Sequence, residues 1–550
     1  MDTLNLRKAR GAFFTPQEIC DFISSWAVRT ANDVVLEPSC GEASFLLSAG
    51  ARLVTLGSPV NRDQSSLNGI EIHEASANSA KQLLDTSDLR STIQSGNFFD
   101  IAPEPKYDVV IGNPPYVRYQ DFAGSARAKG LEAALAQGVR LSLLANSWAP
   151  FVVHAAQFLK PGGRLGLVLP AELLTVKYAA EVRRFLLNRF ASIKLVMFEE
   201  LVFPGVLEEV VLLLAEGTGP TAGFELYQAR NLNDLNSASS SIWTEFTPST
   251  VEKWTPALIP ADALDVYRTV TASDEVETLL DWGESYLGAV TGNNKYFTLT
   301  GKQVVELGLT SHELRPISPP GSRYLRGLTF TEKAWSELLR EESRCYLFYP
   351  ECEDLSIAAR EYLTAGEGAG VHSAYKCQAR KPWWRVPLVP MADLFLTYMD
   401  HVCPRFVAND ARVHHLNSVY GVRLRTNRRR LGRDLLALAS LNSLTILGAE
   451  MIGRSYGGGI LKIEPTEADL LPLPSQLVLG AAAEELSDLR PHLAIALRQG
   501  DLLGVVKTVD AVLLKKHLGM KAPALKALRD AREFLFARRL GRGKNKRGAN

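Results

Sequence analysis

At 550 residues the chain exceeds what one hydrophobic core holds, so two or three domains are expected. Hydrophobic residues make up 46% and charged residues 22%, the balance of a globular protein, and a formal net charge of +1 excludes a polycation; any nucleic-acid surface must come from local segregation of charge. Six cysteines lie far apart without a Cys-x-x-Cys, which excludes a disulfide scaffold or zinc ribbon and fits a reducing cytoplasm; no apolar run nears the ~18 residues that span a membrane.

After a short polar lead, Thr15-Pro16-Gln17-Glu18 opens a helix. Thr15 is expected to be its N-cap, Pro16 its first residue and Glu18 the partner in a capping box, with Ile19, Phe22, Ile23 and Trp26 at helical spacing. Val34-Val35-Leu36-Glu37-Pro38-Ser39-Cys40-Gly41 reads as strand then tight turn, leading into a helix. Gly41 lets a ligand approach the backbone, but the three-glycine phosphate fingerprint is absent, which argues against a dinucleotide. Glu37 at the strand end would repel phosphate and suit a cationic, amine-bearing cofactor, a description that points to S-adenosylmethionine.

A second strand, Leu67–His73, delivers Glu71, placed to accept ribose hydroxyls; the polar stretch 57–66 is read as an inserted loop before it. Ser95-Gly96-Asn97-Phe98-Phe99-Asp100 ends a third element, where an amide or carboxylate beside an aromatic can hold an adenine edge and cover its face. Tyr107–Gly112 is a buried strand ending in Asn113-Pro114-Pro115-Tyr116. Beyond it, 124–138 is expected to be a flexible loop, 151–159 a helix, 164–169 a strand, 171–190 one helix, and 193–198 and 209–215 further strands. The alternation predicts an α/β fold, a doubly wound and mostly parallel sheet, ending near Phe246.

The Asn113–Tyr116 loop carries the chemistry. An exocyclic amine on adenine is a weak nucleophile because its lone pair is delocalised, so its protons need acceptors. The Asn113 side-chain oxygen and the Pro114 carbonyl can supply two, held by two prolines of locked φ, and Tyr116 can stack on the base. A base inside duplex DNA must first be flipped out.

At this point the sequence resembles the gamma-type N6-adenine DNA methyltransferases of restriction-modification systems, closely over residues 9–216 and by general organisation to 475. The resemblance implies a seven-stranded methyltransferase sheet and S-adenosylmethionine as cofactor. Thr15 would then contact the methionine carboxylate; Glu37 and Cys40 would contact the cofactor, and Glu71 and Ile72 its ribose and adenine. Phe98 would lie against the cofactor adenine, with Asn97 or Asp100 on its edge and Pro115 against the cofactor. Phe203, before Pro204-Gly205, would sandwich the flipped base opposite Tyr116. The implied partner is double-stranded DNA, with a cognate restriction endonuclease acting on the same site without a stable complex; the protein is expected to be a cytoplasmic monomer without a membrane.

Residues 250–475 lose the strand–helix regularity and are read as a mixed α/β target-recognition domain. They carry Thr291-Gly292-Asn293-Asn294-Lys295-Tyr296-Phe297, Arg380-Lys381-Pro382-Trp383-Trp384-Arg385 and arginines at 423, 425, 428, 429, 430 and 433, basic and aromatic groups suited to a nucleic-acid face. Residues 480–550 are read as a helical segment with a disordered basic tail that includes Arg538 and Arg539. His414-His415 with Cys403 match no common metal spacing, and the two histidines are read as exposed loop residues, so no metal is assigned.

Four alternatives stay open. The same tetrapeptide serves enzymes that methylate RNA or a protein glutamine amide, although those chains are shorter. A fused restriction-modification enzyme would need a nuclease, and only ten residues precede Gly11, while the one Glu-x-Lys, Glu104-Pro105-Lys106, falls inside the sheet. A non-catalytic DNA-binding protein would not need Asn113–Tyr116 intact. N4-cytosine presents a similar amine, but the motif order and the asparagine favour adenine.

Overall fold

The computed structural model describes residues 15–58, 66–200, 202–203, 209–240, 243–248, 253–351, 355–456 and 458–544. They form two compact units, Met1–Leu258 and Ile259–Asn550.

The first unit is built on strands β1 (Val35–Glu37), β2 (Leu67–Glu71), β3 (Ser91–Ser95), β4 (Tyr107–Gly112), β5 (Leu159–Pro170), β6 (Ser192–Phe198), β7 (Val210–Glu216), β8 (Phe224–Ala229) and β9 (Thr244–Phe246). Their order in the sheet is β3-β2-β1-β4-β5-β7-β6-β8-β9. Neighbours from β3 to β5 run parallel, β7 lies antiparallel between β5 and β6, β8 is parallel to β6, and β9 is antiparallel to β8. The first seven strands in that order, with the seventh reversed, are the sheet of class I S-adenosylmethionine-dependent methyltransferases, as expected. The sheet is two strands wider than the expected seven. Phe224–Ala229 mixes buried and partly buried residues over only six positions, a pattern too short to stand out in the sequence.

Central strands such as β4 and β7 are buried on both faces, which their near-continuous apolar sequences require. Helix Gln17–Ala27 packs Ile19, Cys20 and Ile23 into the same core as Val35, Phe45, Val109 and Val196. The sheet order reverses between β1 and β4, so the loops leaving these two strands diverge around a crevice, the usual ligand site of a doubly wound sheet.

Three local expectations are corrected. Pro16, not Thr15, precedes the first helix, which has no side-chain cap, so the Thr15–Glu18 capping box does not form. Residues 124–135 are an α-helix rather than a loop, in keeping with their alanine content. The stretch 171–190 is not one helix: the chain turns extended at Val176, and the buried Arg183 guanidinium donates to the Leu173 and Val176 carbonyls that the break frees. The inserted loop falls largely in 59–65, outside the described residues, as does the Pro204-Gly205 turn.

The second unit has a five-stranded sheet of Gly283–Leu287, Tyr420–Leu424, Leu394–Leu396, Phe406–Asn409 and Thr329–Phe330, in that order, and three smaller sheets. The helices that follow Ser475 share one core with it: Leu486, Leu493, Val505 and Val509 pack with Trp282, Leu394 and Val422. The final helix runs Ala522–Lys544, and Arg538 and Arg539 are buried in it, so the basic tail expected to begin there does not. Arg539 pairs with buried Glu450 at 2.6 Å and donates to the His401 carbonyl at 3.1 Å. Among the described residues no single helix is long and apolar enough to cross a membrane; one bent apolar pair, Arg429–Ala439 and Ser443–Ile452, passes by composition and lies largely in the unit's core.

Candidate active site

One cavity of about 490 Å³ opens at the switch point of the first unit, within the range of small-molecule sites. Thr15, Glu37, Cys40, Gly41, Glu71, Ile72, Asn97, Phe98, Asn113 and Pro115 all line it. Five chain segments thus deliver every residue assigned to the cofactor into one space. Pro114, Tyr116 and Phe203 do not line it.

The floor comes from the β1 turn. Gly41 adopts φ +51°, with nothing within 4 Å of where a Cβ would stand, so the backbone there is open to a ligand. The Glu71 carboxylate, at the end of β2, accepts from the Gly41 N–H and the His73 N–H, each at 2.9 Å, and so ties the two strand ends together. Glu37 is buried and accepts from the Leu46 N–H at 3.2 Å. Burial, and then the nearby Glu71 charge, hold its carboxyl well above the ordinary carboxylate range. Burial likewise raises the Cys40 thiol, which argues against a nucleophilic role.

Phe98 forms one wall. Its ring stands 4.8 Å from that of Phe151 and 4.5 Å from that of His154, whose Nε2–H donates to the Phe98 carbonyl at 3.2 Å. Burial keeps His154 below its usual range, hence neutral. Asn97 Oδ1 accepts from the Phe99 N–H at 3.2 Å, whereas Asp100 pairs with Lys129 at 2.7 Å and does not line the cavity. Geometry therefore favours Asn97 of the two.

The Asn113 loop closes the other side. Its amide Nδ2 donates to Thr15 Oγ1 at 3.1 Å, the role that hydroxyl takes in place of capping a helix. This orientation leaves Asn113 Oδ1 buried and without a hydrogen-bond partner. A buried unpaired acceptor is costly and marks a place for a donor from outside. Ser39 Oγ donates to the Asn113 carbonyl at 3.3 Å. Tyr116 donates its hydroxyl to the Val168 carbonyl at 2.9 Å, and its ring and Phe203 belong to one apolar cluster.

Sequence reasoning missed Ser147, Val117, Phe122, Ala126 and Phe151, all of which line the cavity. The first offered no signal beyond a serine preceding an apolar run, and Phe122 and Ala126 fell in or beside a segment read as loop.

Two family models match the chain. Residues 42–203 match the Eco57I restriction-modification methylase, and residues 251–514 match the C-terminal domain of the Type II methyltransferase M.Eco57I, between them most of the chain. The chain is a restriction-modification DNA methyltransferase of the gamma type. The methylase is 22% identical over 530 residues to the Type II methyltransferase M.AccI of Acinetobacter calcoaceticus, spanning 94% of this chain and 95% of that one. It is 24% identical over 496 residues to the Type II methyltransferase M.XamI of Xanthomonas campestris pv. amaranthicola, spanning 86% and 87% respectively. Among solved structures, the type IIG restriction endonuclease BpuSI aligns with 99% of the methylase and 68% of its own chain at 15% identity, with a TM-score of 0.44.

In the second unit the basic and aromatic segments are placed differently from the expectation of one exposed face. Trp384 is buried and Trp383, half-buried, donates to Glu367 at 3.0 Å; both pack in the core around Phe297 and Phe348. Arg380 donates to the Val290 and Thr291 carbonyls, bringing the two motifs together. Four of the six clustered arginines have internal partners: Arg425 with the Leu280 carbonyl, Arg428 with Glu277, Arg429 with Asp393 and Arg433 with Asp410. Arg423 and Arg430 remain exposed. Lys376 lies beside Gly292 and is exposed, as are Lys381 and Tyr375, the last to 80%; among the described residues neither lysine has an acidic partner. His415 is fully buried, not an exposed loop residue: its ring occupies the space a Cβ on Gly421 would take, 2.4 Å from Cε1. His414 is half-buried, and among the described residues no cluster of metal-ligating side chains occurs.

Proposed function

We propose that the methylase transfers a methyl group from S-adenosylmethionine to the N6 amine of an adenine flipped out of duplex DNA, marking host DNA within a restriction-modification system beside a cognate endonuclease that acts at the same sequence. The buried, unpartnered Asn113 Oδ1 carries this reading. It is an acceptor fixed in direction by Thr15 and waiting for an N–H, which is what an exocyclic amine presents.

The cavity suits the cofactor on its own chemistry. The open Gly41 backbone leaves room for the body of the molecule, and the Glu71 carboxylate stands where ribose hydroxyls would be accepted. Glu37 favours a positive group, and Phe98 with Ile72 would flank adenine. Thr15 is placed to meet the methionine carboxylate while it steadies Asn113. When bound, the cofactor supplies an electrophilic methyl on sulfur. Asn113 Oδ1 and the Pro114 carbonyl accept the amine hydrogens, concentrating the lone pair on nitrogen, and Pro115 sets the distance between amine and cofactor cavity. The amine proton leaves to solvent after transfer, since no group here is a strong base. Tyr116 and Phe203, which lie in the apolar cluster outside the cofactor cavity, would stack on the extruded base.

The second unit would read the target. Exposed Tyr375, Lys376, beside the Gly292 turn, and Lys381 are basic and aromatic groups of the kind that phosphate and base contacts need. Expression in a host without DNA methylation, followed by sequencing of modified bases, tests the whole reading. N6-methyladenine confined to one short motif is expected. Unmodified DNA, or 4-methylcytosine, from soluble cofactor-binding protein would overturn it.

A further inference from the structure

The loop that leaves β4 joins no strand pairing among the described residues, yet its backbone is held at several points. The Ser147 hydroxyl accepts from the Val117 N–H at 2.9 Å and donates to the Pro115 carbonyl. Asn146 Oδ1 accepts from the Tyr119 N–H at 2.9 Å. The Ser147 N–H donates to the Val117 carbonyl at 3.0 Å. Two consecutive side chains from the far end of the excursion between β4 and β5 thus grip alternate residues of the catalytic loop.

We infer that Asn146 and Ser147, oriented by Glu172, are positioning residues that strap the Pro115–Tyr119 backbone and thereby set where the Asn113 and Pro114 acceptors stand; the catalytic consequence rests on the transfer proposed above. Ser147 immediately precedes the helix Trp148–Ala155, the position where a serine ordinarily caps, yet it makes no cap bond. Its hydroxyl is committed to the loop instead, and it is buried. Glu172, just past the end of β5, decides the direction of the Asn146 amide. Its Oε2 accepts from Asn146 Nδ2 at 2.8 Å, from Trp148 Nε1 at 3.2 Å, and from the Tyr178 hydroxyl. A flipped Asn146 amide would set oxygen against carboxylate, so Oδ1 must face Tyr119. The strap therefore runs from β5, the sheet neighbour of β4, through Glu172 and Asn146 to the loop that β4 delivers.

Hydrogen exchange and turnover on the full-length chain test this together. In Asn146→Ala, Ser147→Ala and Glu172→Ala, amides at Val117 and Tyr119 should exchange about tenfold faster or more, while the β-sheet peptides keep their protection. Methyl transfer should fall about tenfold to 100-fold in kcat, because a small displacement of positioned groups is enough. In Asn146→Ala, which is outside the cavity lining, the cofactor Kd should stay within about twofold. Ser147→Thr and Glu172→Gln keep a hydroxyl and an acceptor oxygen respectively, and should restore both readouts in large part. Unchanged loop exchange in all three alanine variants would overturn the strap, as would variants that lose cofactor affinity and turnover in parallel with no rescue. A wild-type protein that methylates no DNA would overturn the proposed transfer instead, and the exchange data would still decide the strap.

Discussion

Glu37 is buried with no cation beside it among the described residues, and burial followed by the Glu71 charge raises its carboxyl well above the ordinary range. A cationic cofactor would stabilise the ionised form and displace the proton. Affinity should therefore rise with pH until Glu37 is ionised in the free protein and level off above that. Calorimetric titration in two buffers of different ionisation heat, repeated across pH, should detect proton release on binding wherever Glu37 is protonated in the free protein, and Glu37→Gln should abolish it while weakening binding. At the same scale, Asn113→Ala should lower kcat by about 100-fold or more, the size of losing an oriented charge-stabilising group, with DNA affinity within about threefold of wild type; retained turnover would mean that another acceptor holds the amine. Residue identities at the strand ends were legible because each lies beside its own strand. Ser147 was not, because its partners at Pro115 and Val117 lie 32 and 30 residues away and nothing local marks them.

At the scale of elements, strands read better than helices. Buried central strands such as β4 and β7 carry their burial in composition, so their positions were close to those expected. The helix break at Val176 was invisible because Arg183, which stabilises it, looks like any charged residue on a helix face. The same blindness applies to Arg539, which looked like part of a solvated tail and instead forms a buried pair with Glu450. Arg539→Leu should destabilise the second unit by about 3–5 kcal/mol, since it strands a buried carboxylate, and the double change with Glu450→Leu should recover most of that. Urea unfolding of both variants checks this.

For the molecule as a whole, pH and salt separate what stabilises the second unit from what it binds. Burial pushes the His415 imidazole down to about 4, with a smaller lowering at His414. The unfolded chain, with a histidine near 6.5, then binds more protons between those values, so stability should be full above about pH 6.5 and be lost as pH falls towards 4, by up to ~3 kcal/mol. His415→Leu should remove the larger share of that dependence in urea unfolding followed between pH 4 and 7. Lys376→Ala and Lys381→Ala should each reduce the salt slope of DNA binding by about one, weakening all sequences alike; an unchanged slope would remove this surface from the DNA contacts.

By itself the sequence determined the first seven strands of the sheet, its switch point and the four strand ends that meet there. Those features depend on local backbone preference and on hydrophobic periodicity, which neighbouring residues carry in full. Tertiary structure alone decided which polar groups are spent internally. It committed Arg380, Arg428 and Arg539 to internal partners, buried Trp384 and His415, and left Lys376 and Lys381 outside. It also turned the Thr15 hydroxyl from a helix cap into the partner that aims Asn113. The reason is physical: a side chain's partner is set by packing between distant segments, and Thr15 and Asn113 lie 98 residues apart.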